Sequence, residues 1–391
     1  MQKSFKKFLF FFIHPVVNIP PPLNFASLLS SFDQPVIIIG YLTDDTKKIE
    51  KIAKSAWIFR IPLTTRNIPL KPLRLALGLI EYLIISVKII KRVAPDCIVT
   101  FNDPATVILY LARSVKYRLA WILEFPEHKY LGKVQYRLMR FTSRYLKYAS
   151  ALIFPTRERM ALTLEKQSSC IDHRKFIIHN APLLDSEQVP SSSPLTKEGV
   201  RFLNENRLKG KINIIYTGAV GNRYGIDQLI GAVAGTEAFC LLIVGKKHDL
   251  SIKEVAEAMD RAGNKDSIKF IDQVPYNDLP LLFKNSDIGH VYYKPDTLNT
   301  LFSAPGKLYE YLKGGLMILT DKNACIINEL IANSCCLIFD FNDKQALMEK
   351  LNWLAGNRDY LTKAKANARR LSENVYNFKS QSKYLFKYLN V

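Results

Sequence analysis

Read for the spacing of apolar and polar positions, the chain alternates two signals. Short uninterrupted apolar runs recur, and longer stretches with apolar residues three or four apart lie between them. In the first half the runs predict strands at 8–13, 36–40, 57–61, 97–101, 119–123, 151–154 and 176–179, with helical spacing over 73–93 and 134–148. Apolar strands separated by helices belong to parallel sheets covered on both faces. A stretch rich in Ser, Pro and charge, 183–211, contains no long apolar run and reads as a connection. The pattern then restarts. Strands are predicted at 212–216, 238–244, 268–271, 288–292, 316–319 and 336–339. Helices are predicted over 225–233, 252–262, 279–285, 305–314, 323–332 and 345–355, followed by a helical tail.

The chain therefore reads as α/β with two domains, 1–185 and 211–370, joined by a linker over 186–210. The closing segment, 371–391, is predicted to be a helix that crosses back to the first domain. Two such domains leave a cleft at the carboxyl ends of their strands, where open parallel sheets bind ligands. The start, with a basic head before Phe8, imitates a signal peptide. His14 and Pro15 follow at once without a small-residue cleavage site, so 8–13 reads as a buried strand. The most apolar helix, 73–93, is interrupted by Arg74, Glu81 and Lys88, which argues against a membrane span.

Charge changes the picture next. Lys and Arg number 55 against 35 Asp and Glu, a formal charge of +20. Such a surplus draws polyanions, or it is simply a solvated surface. Lys133, Arg137, Arg140, Arg144 and Lys147 recur among Tyr, Leu, Met and Phe over 130–148. That basic stripe beside an aromatic one suits an anionic membrane surface, and 73–93 can assist it. Packing on the sheet with the charges facing water is the competing reading. No nucleic-acid-binding signature appears, so no nucleic-acid partner is expected. The six cysteines form no CxxC pair or zinc-ligand spacing and fit a reducing cytoplasm. No metal site is expected. Asp44-Asp45 reads as a solvated loop pair.

Two segments carry chemistry. Tyr216-Thr-Gly218 opens the second domain, and Gly221, Arg223 and Gly225 follow before a helix. Glycines let backbone approach a ligand, a helix start offers N–H groups to an anion, and arginine offers a fork of donors. The second segment is Ser303-Ala-Pro-Gly-Lys307-Leu-Tyr-Glu310-Tyr-Leu-Lys-Gly-Gly315. Pro305 fits the first helical position, and the Gly pair fits the stop. Lys307 and Glu310 are three apart and share one face. They suit a diphosphate and a ribose, or they are an ordinary surface pair.

With Gly225-Ile-Asp-Gln-Leu-Ile230, Leu242-Ile-Val-Gly245, Phe270 to Pro280 and Ser286 to Gly289, these segments run in one order. The second domain thereby resembles the donor-binding domain of family 4 retaining glycosyltransferases, which have the GT-B fold of two Rossmann-like domains with parallel sheets facing a central cleft. The resemblance implies transfer of a sugar from a nucleoside diphosphate sugar to a hydroxyl of a lipid-linked or surface-polysaccharide acceptor. It implies retention of configuration, no metal or other cofactor, and a peripheral place on the inner face of the cell membrane. It assigns Arg223 and Lys307 to the diphosphate, Glu310 to the ribose, and the backbone around Val274 and Tyr276 to the base. Gly218, Ser303, Ala304 and Pro305 would lie against the donor, with Glu124 and His128 on the sugar or acceptor side. His128 reads equally as a loop histidine, and Asp103 as a helix cap.

Three positions depart from the pattern. Tyr224 stands where a lysine is common, Leu123 where a histidine is common, and Phe302 where the first of two glutamates is common. These leave a non-catalytic nucleotide-sugar-binding or scaffold subunit as the alternative. A sugar-nucleotide epimerase is a further rival, although its additional acid/base set is not found.

Overall fold

A computed structural model describes residues 6–13, 20–102, 104–125, 127, 133–184, 193–246, 257–258, 265–323 and 325–391. The chain divides into two compact units, one of Met1–Asn180 with Phe378–Val391 and one of Ala181–Asn377.

The first unit carries eight strands: β1 (Phe8–Phe11), β2 (Val36–Tyr41), β3 (Ile49–Ala53), β4 (Ala56–Ile61), β5 (Cys97–Phe101), β6 (Tyr117–Trp121), β7 (Ala151–Phe154) and β8 (Arg174–Ile177). Their order is β3-β4-β2-β1-β5-β6-β7-β8. Phe8 of β1 pairs with Val36 of β2 on one side and Cys97 of β5 on the other, both in parallel register. All four β1 residues are buried, as a central strand covered on both faces requires. The exception to the parallel pattern is β3, which runs antiparallel to β4 at the sheet edge. Its sequence, Ile-Glu-Lys-Ile-Ala, holds no apolar run, so the reading from apolar runs passes over it.

Helices α1 (Pro20–Ser31), α2 (Lys71–Val93), α3 (Val107–Leu111), α4 (Lys133–Thr142) and α5 (Arg157–Lys166) follow in this unit. α1 was not expected, because it starts on three prolines. The first turn needs no intrahelical N–H donors, so proline is tolerated there. The helix predicted over 134–148 is α4 followed by a tighter 3-10 segment, Ser143–Tyr148.

The second unit carries β9 (Ile212–Thr217), β10 (Phe239–Val244), β11 (Ile268–Ile271), β12 (Ile288–His290), β13 (Met317–Thr320) and β14 (Cys336–Ile338). All are parallel, in the order β11-β10-β9-β12-β13-β14. Its helices are α6 (Pro194–Leu208), α7 (Ile226–Ala234), α8 (Leu279–Lys284), α9 (Leu298–Leu301), α10 (Gly306–Gly314), α11 (Ile327–Ala332), α12 (Lys344–Gly356) and α13 (Arg358–Asn374). The helix expected over 252–262 lies outside the described residues apart from 257–258.

Two expectations need correction. The segment read as a linker, 186–210, contains α6, which belongs to the second unit. Ser193 caps it by accepting from Thr196 N at 3.2 Å, and Phe202 and Leu203 pack with Leu242 and Leu282. A largely polar outer face hid this helix from a composition argument. The tail is not one helix over 371–391 either. α13 ends at Asn374, and α14 (Phe378–Leu389) begins after a break and belongs to the first unit. Tyr376 anchors the break by packing on Tyr309, ring centroids 5.5 Å apart. In the first unit the α14 rings of Phe378 and Phe386 lie 6.1 Å from Trp121 and 5.8 Å from Phe25.

Candidate functional site

The strand order of the second sheet reverses between β9 and β12. Ligands of open α/β sheets sit beyond the carboxyl ends of the strands at such a reversal. At that place β9 ends in Tyr216-Thr217 and turns through Gly218, β12 runs into Val291, Tyr292 and Tyr293, and the Lys307 side chain of α10 packs against both.

The Lys307 ammonium lies 4.1 Å from the ring centroid of Tyr216, 5.4 Å from that of Tyr293 and 5.6 Å from that of Tyr224. It has no ion pair among the described residues. Three ring faces attract a cation, but they replace water incompletely. Burial accordingly pushes the ammonium down to about 7, against the pull of Glu310. Gly218 has φ +124°, and a Cβ there would stand 3.2 Å from Lys307 Nζ. At Gly245, after β10, a Cβ would lie 1.8 Å from the Gly218 carbonyl oxygen. Glycine at both positions is what lets the turn and the lysine meet.

Glu310 stands one turn further along α10. The Tyr276 hydroxyl donates to Glu310 Oε1. Burial raises the Glu310 carboxyl above its ordinary range, while Tyr276, Lys313 and Lys307 oppose the rise. Val274 is buried just before this tyrosine. Pro305 is extended and precedes the helix as its cap residue, one position before the expected one. Pro305 offers no side-chain cap to α10, and the Leu308 N–H already bonds the Pro305 carbonyl at 3.2 Å, so the N–H groups left at the helix start are those of Gly306 and Lys307. Ser303 and Ala304 are buried on the approach to it.

Arg223 is placed differently from its expected partner. It lies in a 3-10 turn, Asn222–Tyr224, with its Nη2 3.3 Å from Asp296 Oδ1. Gly218 and Lys307 therefore meet directly, as do Glu310 and Tyr276, whereas Arg223 is drawn to a carboxylate that the sequence reading did not consider.

Two further residues hold the site and were missed. His290 is fully buried, and its Nε2 bonds the Tyr224 carbonyl at 2.7 Å, fixing the turn that carries Arg223. Burial pushes its imidazole down to about 3, so it is neutral and donates to that carbonyl. The Tyr311 hydroxyl accepts from Thr217 N at 2.9 Å and ties α10 to the end of β9. The spacing of Lys307 and Tyr311, four apart on one helix, is the signal that would have found it.

In the first unit, Glu124 is exposed on the loop after β6. Its backbone N–H and that of Leu123 donate to Asn102 Oδ1, at 3.1 and 2.7 Å. Asn102 itself is left-handed, at φ +55°. His128 and Asp103 lie outside the described residues. Among the described residues no group of three or more His, Cys, Asp or Glu is arranged to hold a metal ion.

Residues 201–371 match the family described as Glycosyl transferases group 1. No curated protein matches the sequence. Solved structures match over nearly the whole chain. Sucrose-phosphate synthase from Thermosynechococcus elongatus is 14% identical with a TM-score of 0.70, covering 98% of each chain. HepE of Anabaena in complex with UDP-glucose is also 14% identical at 0.70, covering 98% of this chain and 99% of that one. WaaG, a glycosyltransferase involved in lipopolysaccharide biosynthesis, is 16% identical at 0.64, covering 97% and 99%. At such identities the likeness is one of fold. The chain has the GT-B fold, and its residues 201–371 match the group 1 glycosyltransferase family.

Proposed function

We propose that the chain moves a sugar from a nucleoside diphosphate sugar to a hydroxyl of a lipid-linked or surface-polysaccharide acceptor, retaining anomeric configuration. The observation that carries this reading is the Lys307 ammonium, held by three tyrosine rings against the Gly218 turn and without an ion pair among the described residues. An arriving diphosphate restores its full charge, and the helix start adds N–H donors. The same groups stabilise the diphosphate as it departs, so most of the rate comes from orientation and fixed charge. In this scheme the cation and backbone donors do what a metal ion otherwise does.

Glu310 gives one oxygen to Tyr276 and the other to a ribose hydroxyl, with Val274 and Tyr276 framing the base. Arg223 contributes by exchanging Asp296 for the donor phosphates. Glu124 and His128 serve the sugar or acceptor.

A peripheral place on the cytoplasmic face of the membrane is supported by α2. Leu73, Leu77, Ile80 and Ile84 form one stripe, 46, 37, 52 and 52% exposed, and Lys88 and Lys91 continue it. Glu81 points elsewhere and accepts from the backbone and side chains of Thr64 and Thr65. Such a helix lies in an interface rather than across it. No helix among the described residues is long and apolar enough to cross a membrane. The six free cysteines fit a reducing compartment.

The Arg223–Asp296 pair, with Tyr224 and Phe302 at two binding positions, favours a second reading: a subunit that binds a nucleotide sugar without transferring it. A thermal-shift screen against UDP-, GDP-, ADP- and CMP-sugars, followed by NMR of the product anomer, tests both. A stabilising donor and a product of unchanged anomeric configuration support transfer. Stabilisation without turnover favours the scaffold, and no stabilisation by any nucleotide contradicts both.

A further inference from the structure

The first unit holds a cavity of about 1090 Å³ between α4, the 3-10 segment Ser143–Tyr148, α5 and the loop after β6. Binding pockets for small molecules commonly measure about 300–1,000 Å³, so it has room for a sizeable ligand. Lys133, Arg137, Arg140 and Arg144 recur at helical spacing on one wall, and Lys166 of α5 faces them from another. Among the described residues none of the five is ion-paired and no carboxylate lines the cavity. The remaining described lining is four apolar side chains beside Tyr136, Ser143, Thr163 and Gln167. Ile122, Phe125 and Leu146 are 7, 8 and 2% exposed, while Phe141 is 52% exposed. The Lys166 ammonium lies 4.3 Å from the Phe125 ring centroid, where cationic and apolar linings meet.

A solvated basic face accounts for cations on a surface. It does not account for five of them around a concavity whose described lining has an apolar part and no carboxylate. Like charges clustered this closely repel one another, and an anion seated among them removes that cost. Arginine suits phosphate because its planar fork offers paired donors. The apolar lining selects a ligand with a hydrocarbon portion beside the anion. Ile122 and Phe125 flank Glu124 in sequence, so the cavity opens on the loop that carries this carboxylate.

We propose that this cavity seats the acceptor, and that the acceptor is an amphiphile with a phosphate or diphosphate attached to an apolar chain. The proposal rests on the transferase reading above and narrows its acceptor to the phosphate-bearing lipid class. The arginines of α4 take the phosphate oxygens, Lys166 closes the opposite side, and the chain lies along Phe125, Phe141 and Leu146.

The test uses the full chain and dodecyl phosphate below its micelle concentration, with fluorescence or calorimetric titration as readout. Inorganic phosphate, dodecyl maltoside and phosphatidylglycerol vesicles are the comparison arms, and UDP binding is measured in the same samples. Dodecyl phosphate is expected to bind at least tenfold more tightly than either inorganic phosphate or dodecyl maltoside. The double variant Arg140→Gln/Arg144→Gln should lose at least tenfold in that affinity, as should Lys166→Glu from the other wall. UDP affinity should stay unchanged. Unaltered dodecyl phosphate binding in both variants overturns the proposal. So does inorganic phosphate binding as tightly as the amphiphile. An effect of the variants on vesicles alone also overturns it, because that result describes a membrane surface and not a cavity. Absence of UDP binding in the unmodified chain, with dodecyl phosphate still bound, contradicts the donor reading and leaves the cavity assignment standing.

Discussion

The two units handle positive charge in opposite ways. In the second, Lys307 is half-buried against Tyr216, Tyr224 and Tyr293, and its neighbour Glu310 accepts from Tyr276. In the first, Lys133, Arg137, Arg140, Arg144 and Lys166 stand exposed around an open cavity. A half-buried cation held by rings is pre-positioned and less screened, so it discriminates by geometry. An exposed cluster acts at longer range, tolerates varied partners and is screened by salt within about 8 Å at physiological ionic strength. One arrangement suits the leaving group of a reaction, and the other suits capture of a large anionic substrate.

The largest effect is expected from removing the half-buried cation. Lys307→Ala is expected to lower kcat/KM by about 10²–10³-fold, the scale of losing one preorganised charge-stabilising group. Its thermal midpoint should not fall, since the ammonium is held at a desolvation cost. Steady-state kinetics with the donor selected in the screen, alongside thermal denaturation, checks both halves. A next-largest effect should come from the backbone contact behind the lysine. Gly245→Ala forces a Cβ onto the Gly218 carbonyl and should destabilise the second unit by about 1–3 kcal/mol, read by urea denaturation. The matching change among the exposed cations, Arg140→Gln, should stay within about 0.5 kcal/mol of the parent chain.

Smaller effects are expected at the hydrogen bond to Glu310 and on the apolar stripe of α2. Tyr276→Phe removes the donor to Glu310 and should weaken nucleotide binding by about 1 kcal/mol, measured calorimetrically. Without that hydrogen bond the Glu310 carboxyl titrates higher, so the variant's affinity should fall further at low pH than that of the parent chain. On the first unit, Ile80→Asn/Ile84→Asn should cut co-sedimentation with anionic vesicles while moving the thermal midpoint little, because both side chains already face solvent.

The strands and the Lys307–Glu310 spacing were legible because both are local. A run such as Ile212–Thr217 has apolar residues on both faces, and that pattern admits few alternatives. The cage around Lys307 was not legible. Its tyrosines come from the end of β9, from a turn and from the residues after β12, which only the sheet order brings together. The same holds for His290, which looks like an isolated histidine in an apolar strand until Tyr224 O is seen 2.7 Å away. Asp296 escaped notice because nothing in its local sequence points to Arg223, 73 residues earlier. Helix α6 was hidden by a polar outer face and β3 by its edge position. The break between α13 and α14 was hidden because Tyr376 and Asn377 are set by burial and by the Asn377 Nδ2 bond to Glu373 O at 2.8 Å, not by a glycine or proline.

Donor capture turns on the protonation of Lys307. Free of ligand, Lys307 sits near 7, so at pH 8 it is mostly neutral. If it grips the donor diphosphate, binding at pH 8 must raise its pKa and take up a proton, and donor affinity must fall as pH rises above 7. Calorimetric titration of the selected nucleoside diphosphate at pH 8, in two buffers of different ionisation enthalpy, measures that proton directly. Uptake approaching one proton per nucleotide, abolished in Lys307→Met, is the predicted result. Proton-neutral binding, with equal affinity in the parent chain and in Lys307→Met, would contradict the account.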